Sequence, residues 1–72
     1  MQTEYTFASE SNAIEAWKEL DAIGRQRNRG CTVAFRSGTR VYLRPQFTSE
    51  FLSRELMSLA EAIEPNKHGR TE

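Results

Sequence analysis

The chain has 72 residues, and its ten Lys and Arg side chains balance its ten Asp and Glu side chains, so its formal net charge at pH 7 is zero. A chain of this length forms one domain with a small hydrophobic core, which excludes two-domain architectures. With one cysteine, Cys31, and one histidine, His68, it can form neither an internal disulfide bond nor a four-ligand structural zinc site. The N-terminus carries an early acid and no apolar run, and no stretch reaches membrane-span length. We therefore expect a soluble cytoplasmic protein.

The first two predicted elements are a short strand and an amphipathic helix. Residues 3–7 alternate polar and aromatic side chains, which predicts a strand that buries Tyr5 and Phe7. Asn12, followed three residues later by Glu15, resembles the capping box that begins a helix. Small and apolar residues then recur every three or four positions, at Ala13, Ala16, Trp17, Leu20, Ile23 and Gly24. This spacing predicts a helix with one buried stripe, to which Trp17 contributes.

A β-hairpin follows, because residues 31–35 and 40–44 both alternate and Gly38 lies between them. We predict a three-residue loop over 36–38, with Arg36 at the tip and Gly38 in the left-handed conformation that glycine tolerates. This register places apolar residues on one face, with Cys31, Val33 and Phe35 opposite Leu43, Val41 and Thr39. The other face then carries Thr32, Ala34, Arg40, Tyr42 and Arg44.

A second helix completes the predicted fold. Thr48 is its expected cap, Pro65 stops it, and its buried stripe comprises Leu52, Leu56, Leu59, Ala60 and Ile63. The order β-α-β-β-α predicts an α+β fold, with a small three-stranded sheet and two helices packed on one face. We assign residues 1–64 to this single domain, and residues 65–72 to a disordered tail that lacks apolar side chains.

The neutral total conceals an uneven distribution of charge. Residues 1–23 sum to −4, residues 24–44 sum to +6 without any acidic residue, and residues 45–72 sum to −2. Eight of the ten basic residues are arginine, whose planar, forked guanidinium suits carboxylates, phosphates and aromatic rings. Asp21, on the outer face of the first helix, is spaced to pair with Arg25. The central arginines should therefore define one asymmetric surface.

The predicted hairpin places arginines and a tyrosine on the sheet face that the helices leave uncovered. The candidate binding residues are Arg25, Arg27, Arg29, Arg36, Arg40, Tyr42 and Arg44. We predict a small non-enzymatic interaction module, an adaptor or inhibitor, that binds an anionic protein, since acidic helices would repel a polyphosphate. The alternative is a DNA- or RNA-binding domain that uses the same side chains. A third interpretation is that the arginines only keep an exposed sheet soluble and block edge pairing.

Neither catalysis nor cofactor or metal binding is expected from the sequence. Cys31 falls on the predicted apolar face without a base nearby in sequence, and His68 lies in the predicted tail. The acidic residues are scattered over outer helix faces, and no glycine-rich phosphate loop is present. Homodimerisation, by helix contacts or by pairing of strand edges, is a further prediction, since small chains gain stability by association and Ile14, Phe51 and Met57 flank the buried stripes.

Overall fold

The computed structural model describes residues 2–65, and it confirms the predicted α+β fold. Within this range the elements are β1 (Glu4–Thr6), α1 (Glu10–Arg27), β2 (Ala34–Ser37), β3 (Arg40–Leu43), a 3-10 turn (Pro45–Phe47) and α2 (Glu50–Ile63). The strands form an antiparallel sheet in the order β1-β3-β2. Except for Pro65, the predicted tail lies outside the described residues. Within residues 2–65, no helix is long and apolar enough to cross a membrane.

Both helices begin at a serine cap, and neither cap is the predicted one. The hydroxyl oxygen of Ser9 accepts a hydrogen bond from the Asn12 N–H at 3.2 Å, so α1 begins before the predicted cap at Asn12. Ser49 caps α2 in the same way by accepting from the Leu52 N–H, one residue after the predicted Thr48. Each serine is followed by a glutamate in the first turn, where negative charge complements the helix dipole.

The hydrophobic core lies between the sheet and the two helices, which cover the same face. Its buried residues are Phe7, Ala13, Ala16, Leu20, Val33, Ala34, Val41, Leu43, Leu52, Leu56 and Ala60. Trp17, Leu59 and Ile63 pack against this core but are only partly buried. The indole N–H of Trp17 donates to the carbonyl of Ala34 at 2.9 Å, which fixes the ring over the outer edge of β2.

The predicted register of the hairpin is wrong. Ser37 pairs with Arg40 and Phe35 with Tyr42, so the loop has two residues, Gly38 and Thr39. Gly38 has the expected positive φ, 63°, and it occupies the first loop position, where the tight turns that suit twisted hairpins accept glycine. The changed register exchanges the two faces of β2 and leaves those of β3 as predicted: Phe35 is exposed, and Ala34 is fully buried.

The alternation is interrupted just before β2, where the consecutive residues Val33 and Ala34 are both buried. Asp21 Oδ1 accepts a hydrogen bond from the Val33 N–H at 2.9 Å, which holds this segment against α1. The Val33 side chain packs directly over Gly24, where α1 offers no side chain. Asp21 does pair with Arg25, at 2.7 Å, but it is buried and does not lie on the outer face as predicted.

Two other polar side chains that the sequence pattern did not place in the interior connect distant parts of the chain. The carboxylate of Glu64, at the end of α2, accepts hydrogen bonds from the Ala8 N–H and the Asn12 amide, both at 2.7 Å. Ser53 is buried and donates its hydroxyl to the carbonyl of Gln2. These bonds attach α2 to both ends of β1.

The titration of the Tyr5 phenol tests how this side chain packs in the folded protein. Partial burial raises the pKa of its phenol above the ordinary value near 10, and the negative charges of Glu64 and Glu61 raise it further. In a Tyr42→Phe variant, we expect the phenolate absorbance of Tyr5 to develop at higher pH in the folded protein than in urea. Because the folded state holds this proton more tightly, the free energy of unfolding should decrease as pH rises above about 10. Identical titration curves in the two states would contradict this packing, and Glu61→Gln should shift the folded curve toward the denatured one.

Candidate binding site on the open face of the sheet

The sheet face opposite the two helices is called the open face here, and it comprises Glu4, Thr6, Phe35, Ser37, Arg40, Tyr42 and Arg44. The two-residue loop positions Phe35 beside Tyr42; Arg40 lies at the start of β3, and Arg44 follows its end, where the Arg44 N–H still donates to the carbonyl of Val33. Phe35 is 42% exposed, and its ring lies directly beside that of Tyr42. An exposed aromatic side chain among polar neighbours is characteristic of interaction surfaces.

Aromatic rings and guanidinium groups alternate across this face. The Phe35 and Tyr42 rings meet edge to face with centroids 6.0 Å apart. The guanidinium carbon of Arg40 lies 4.6 Å from the Tyr42 centroid, and that of Arg44 lies 5.5 Å from the Phe35 centroid. The order is therefore Arg40, Tyr42, Phe35, Arg44. Stacking on rings restricts the guanidiniums while leaving their N–H groups available to an acceptor.

The two arginines of the open face differ in how they are held. Arg40 Nη1 lies 3.4 Å from Glu4 Oε1, and both side chains are about half exposed, so a stronger acceptor can displace this ion pair at little cost. Arg44 Nη1 donates to the carbonyl of Thr32 at 2.9 Å, and its guanidinium lies between the rings of Phe35 and Phe47. Arg44 is thus fixed in place, and Arg40 can exchange its partner.

The prediction that Arg36 belongs to this surface is wrong. In the observed register Arg36 pairs with Val41, so its side chain extends toward the helix-covered side of the sheet. There its Nη1 lies 3.2 Å from Glu10 Oε2 and donates to the carbonyl of Gly38 at 2.9 Å. The physical reason is the period of two in a strand: Val41 pairs with Arg36 and not with Val33, a shift of three residues, and any odd shift moves a side chain to the opposite face.

The three arginines at the end of α1 do not join the open face as one group. Arg25 pairs with Asp21 and reaches the hydroxyl of Thr32 at 3.1 Å, near the beginning of β2. Arg27 covers the ring of Phe51 at 4.0 Å, on the side of the molecule where α2 begins. Arg29 is exposed in the following loop, with a φ of 57°.

Cys31 is exposed, so its predicted place on an apolar core face is also wrong. The reason is that β2 begins only at Ala34, so Cys31 lies in the segment before the strand and not on either of its faces. Among residues 2–65, no group of three or more acidic, cysteine or histidine side chains is arranged to hold a metal ion.

Phe35 is the open-face residue that the sequence pattern missed, and Phe47, whose ring lies beside Arg44, is a neighbouring aromatic residue that it did not assign to the site. Phe35 was assigned to the core because hydrophobic alternation was extended back to Cys31. The signal that could have found it is the Gly38-Thr39 pair, since glycine at the first of two loop positions fixes the register without reference to side-chain polarity.

No protein-family model matches this chain, and no curated protein or solved structure matches it significantly.

Proposed function

We propose that this protein is a small non-enzymatic interaction module, an adaptor or inhibitor, which binds an acidic protein surface through its open face. The observation that supports this proposal most strongly is the aromatic pair of Phe35 and Tyr42 bracketed by Arg40 and Arg44. Tyrosine, tryptophan and arginine dominate the residues that contribute most to protein interfaces. Apolar area at the centre and guanidiniums at its margins suit a partner that presents an apolar side chain flanked by carboxylates.

Nucleic-acid binding is the second candidate, and the exposed pair of rings favours it, since bases stack on aromatic side chains of open sheets. Electrostatics favour a protein partner instead. Arg25 and Arg36 are engaged by Asp21 and Glu10, so they add little to a phosphate-binding surface. Glu4 also lies on the open face, beside Arg40. Nonspecific nucleic-acid affinity derives mostly from neutralised phosphates, and this face offers few free cations for that purpose.

A capture experiment with charge-reversed baits tests the proposal. Wild-type protein, Arg40→Glu and Arg54→Glu are each used to capture partners from the native host, and both protein and nucleic acid are quantified. Arg54 is the matched control, because it is an exposed arginine with an acidic neighbour, Glu50, on the outer side of α2. Acidic proteins should be retained by wild type and Arg54→Glu and lost from Arg40→Glu. Equal capture by all three baits, or capture of nucleic acid alone, would contradict the proposal.

Cytoplasmic location and homodimerisation are also part of this proposal. A single cysteine is compatible with a reducing compartment. Any self-association should use side chains and not strand edges, because Trp17 occupies an outward carbonyl of β2 and the Gln2 amide donates to Glu4 O on β1. Sedimentation that shows only monomer at high micromolar concentration would exclude the homodimer.

A further inference from the structure

The aromatic and arginine side chains of the open face continue beyond the sheet. Arg44 contacts Phe35 on one side and Phe47 on the other, with its guanidinium carbon 5.5 and 5.3 Å from the two ring centroids. Phe47 belongs to the 3-10 turn between β3 and α2, so the aromatic surface of the open face extends past the end of the sheet toward α2. Arg44 therefore connects the open face to a second region near the beginning of α2.

This second region is a depression of about 370 Å³ between the end of α1 and the beginning of α2. Phe47, Phe51 and Leu52 supply its apolar lining, and Arg27 and Asn28 supply polar groups from α1. Phe51 is 37% exposed, and the Arg27 guanidinium lies 4.0 Å from its ring centroid. None of the described residues that line the depression is acidic. Its chemistry thus repeats that of the open face, with an exposed phenylalanine beside a stacked arginine.

We propose that the depression binds the same partner as the open face, and that the partner's binding element is an extended acidic segment crossing both regions. This inference rests on the proposed function. Charge complementarity identifies the occupant, since Arg40 and Arg44 on the open face and Arg27 in the depression present donors to carboxylates. Continuity through Arg44 and Phe47 indicates that the occupant crosses from one region to the other. An apolar side chain of the segment lies between Phe47 and Phe51, and another lies on Phe35 and Tyr42.

Peptide selection on the intact chain tests the extent of the site. A displayed library of random peptides about 16 residues long is selected on the wild-type protein, since an extended chain spans about 3.3 Å per residue. The consensus should contain acidic residues around two separated apolar positions. The synthetic consensus peptide is then titrated by fluorescence anisotropy against wild type, Arg27→Ala/Phe51→Ala, Phe35→Ala/Arg40→Ala and the control Arg54→Ala. A labelled oligothymidylate and oligouridylate of similar length are titrated in parallel.

We expect each double variant to weaken peptide binding by about tenfold or more, and Arg54→Ala to stay within about twofold. The replaced side chains are all partly exposed, and thermal melts of each variant verify that the fold is retained. A peptide that loses affinity only with the open-face variant would overturn the extended site and leave the proposed function intact. An absence of enrichment, a consensus without acids, or tighter binding of either oligonucleotide would overturn both.

Discussion

Gly24→Ala is expected to destabilise the protein by about 3 kcal/mol, although alanine stabilises an ordinary helix position by up to about 1 kcal/mol relative to glycine. A methyl group at position 24 would lie 2.9 Å from Val33 Cβ and would overlap its Cγ2. Val33 cannot move away easily, because it is fully buried and its N–H is bonded to Asp21. A domain of this size has only about 3–5 kcal/mol from its core, so the variant should keep at most about 2 kcal/mol of stability and melt at a much lower temperature than wild type.

Circular dichroism melts of a small series measure this effect. Gln26→Ala, on the exposed side of the same helix, is the control and should change stability by less than about 0.5 kcal/mol. Val33→Ala removes the atoms that overlap most, so the double variant Gly24→Ala/Val33→Ala should lose less than the sum of the single losses. A Gly24→Ala protein that melts at or above the wild-type temperature would show that α1 does not lie this close to Val33.

The second large effect is expected in binding. Arg40→Glu with Arg44→Glu should lower affinity for the acidic partner at least about a hundredfold, equivalent to about 2.7 kcal/mol, because two donors become repulsive charges. The control with the same change of net charge is Lys18→Glu with Arg54→Glu, at exposed helix positions. Its affinity should remain within about threefold of wild type. Equal losses of affinity in the two double variants would show that the partner responds to net charge alone, and would contradict binding at the open face.

The same variant also has a cost in stability. From the sequence, both arginines are expected to be solvated, and the melt should hardly change. In the structure, Arg44 donates to Thr32 O and lies between two rings, so its replacement should lower the free energy of unfolding by about 1–2 kcal/mol. Arg40→Glu alone is therefore the cleaner probe of binding, because Arg40 loses only an exposed pair with Glu4.

The order of elements could be predicted from the sequence because each depends on local patterns. Alternation identified β1, and the three- and four-residue spacing of apolar side chains identified both helices. The positions of Asp21, Ser53 and Glu64 could not be predicted in this way. Their bonds go to the backbone of Val33, Gln2 and Ala8, which lie far away in the chain. In the sequence, a buried polar residue of this kind looks the same as an exposed one. Only the position of its hydrogen-bond partner in the folded chain distinguishes the two.

Only part of the candidate site could be predicted, because some of its residues share a strand and others depend on how two strands pair. Arg40, Tyr42 and Arg44 were placed together correctly, since residues two apart in one strand share a face whatever the register. Membership of residues on β2 depended on the register, and the exchange of Phe35 for Ala34 followed from the loop length. The correction makes the open face more aromatic than predicted and removes Arg36 from it. It therefore favours a partner with both apolar and acidic side chains.

The most direct test of the central claim is a ¹H–¹⁵N correlation spectrum of the labelled protein titrated with the acidic partner recovered by capture. If the open face is the binding surface, the amide signals of Phe35, Arg40, Tyr42 and Arg44 should shift or broaden with the partner. Those of Arg54, Ser58 and Glu61, on the outer side of α2, should stay in place. Perturbations concentrated on the outer faces of the helices, with the four open-face amides unchanged, would contradict the proposed function.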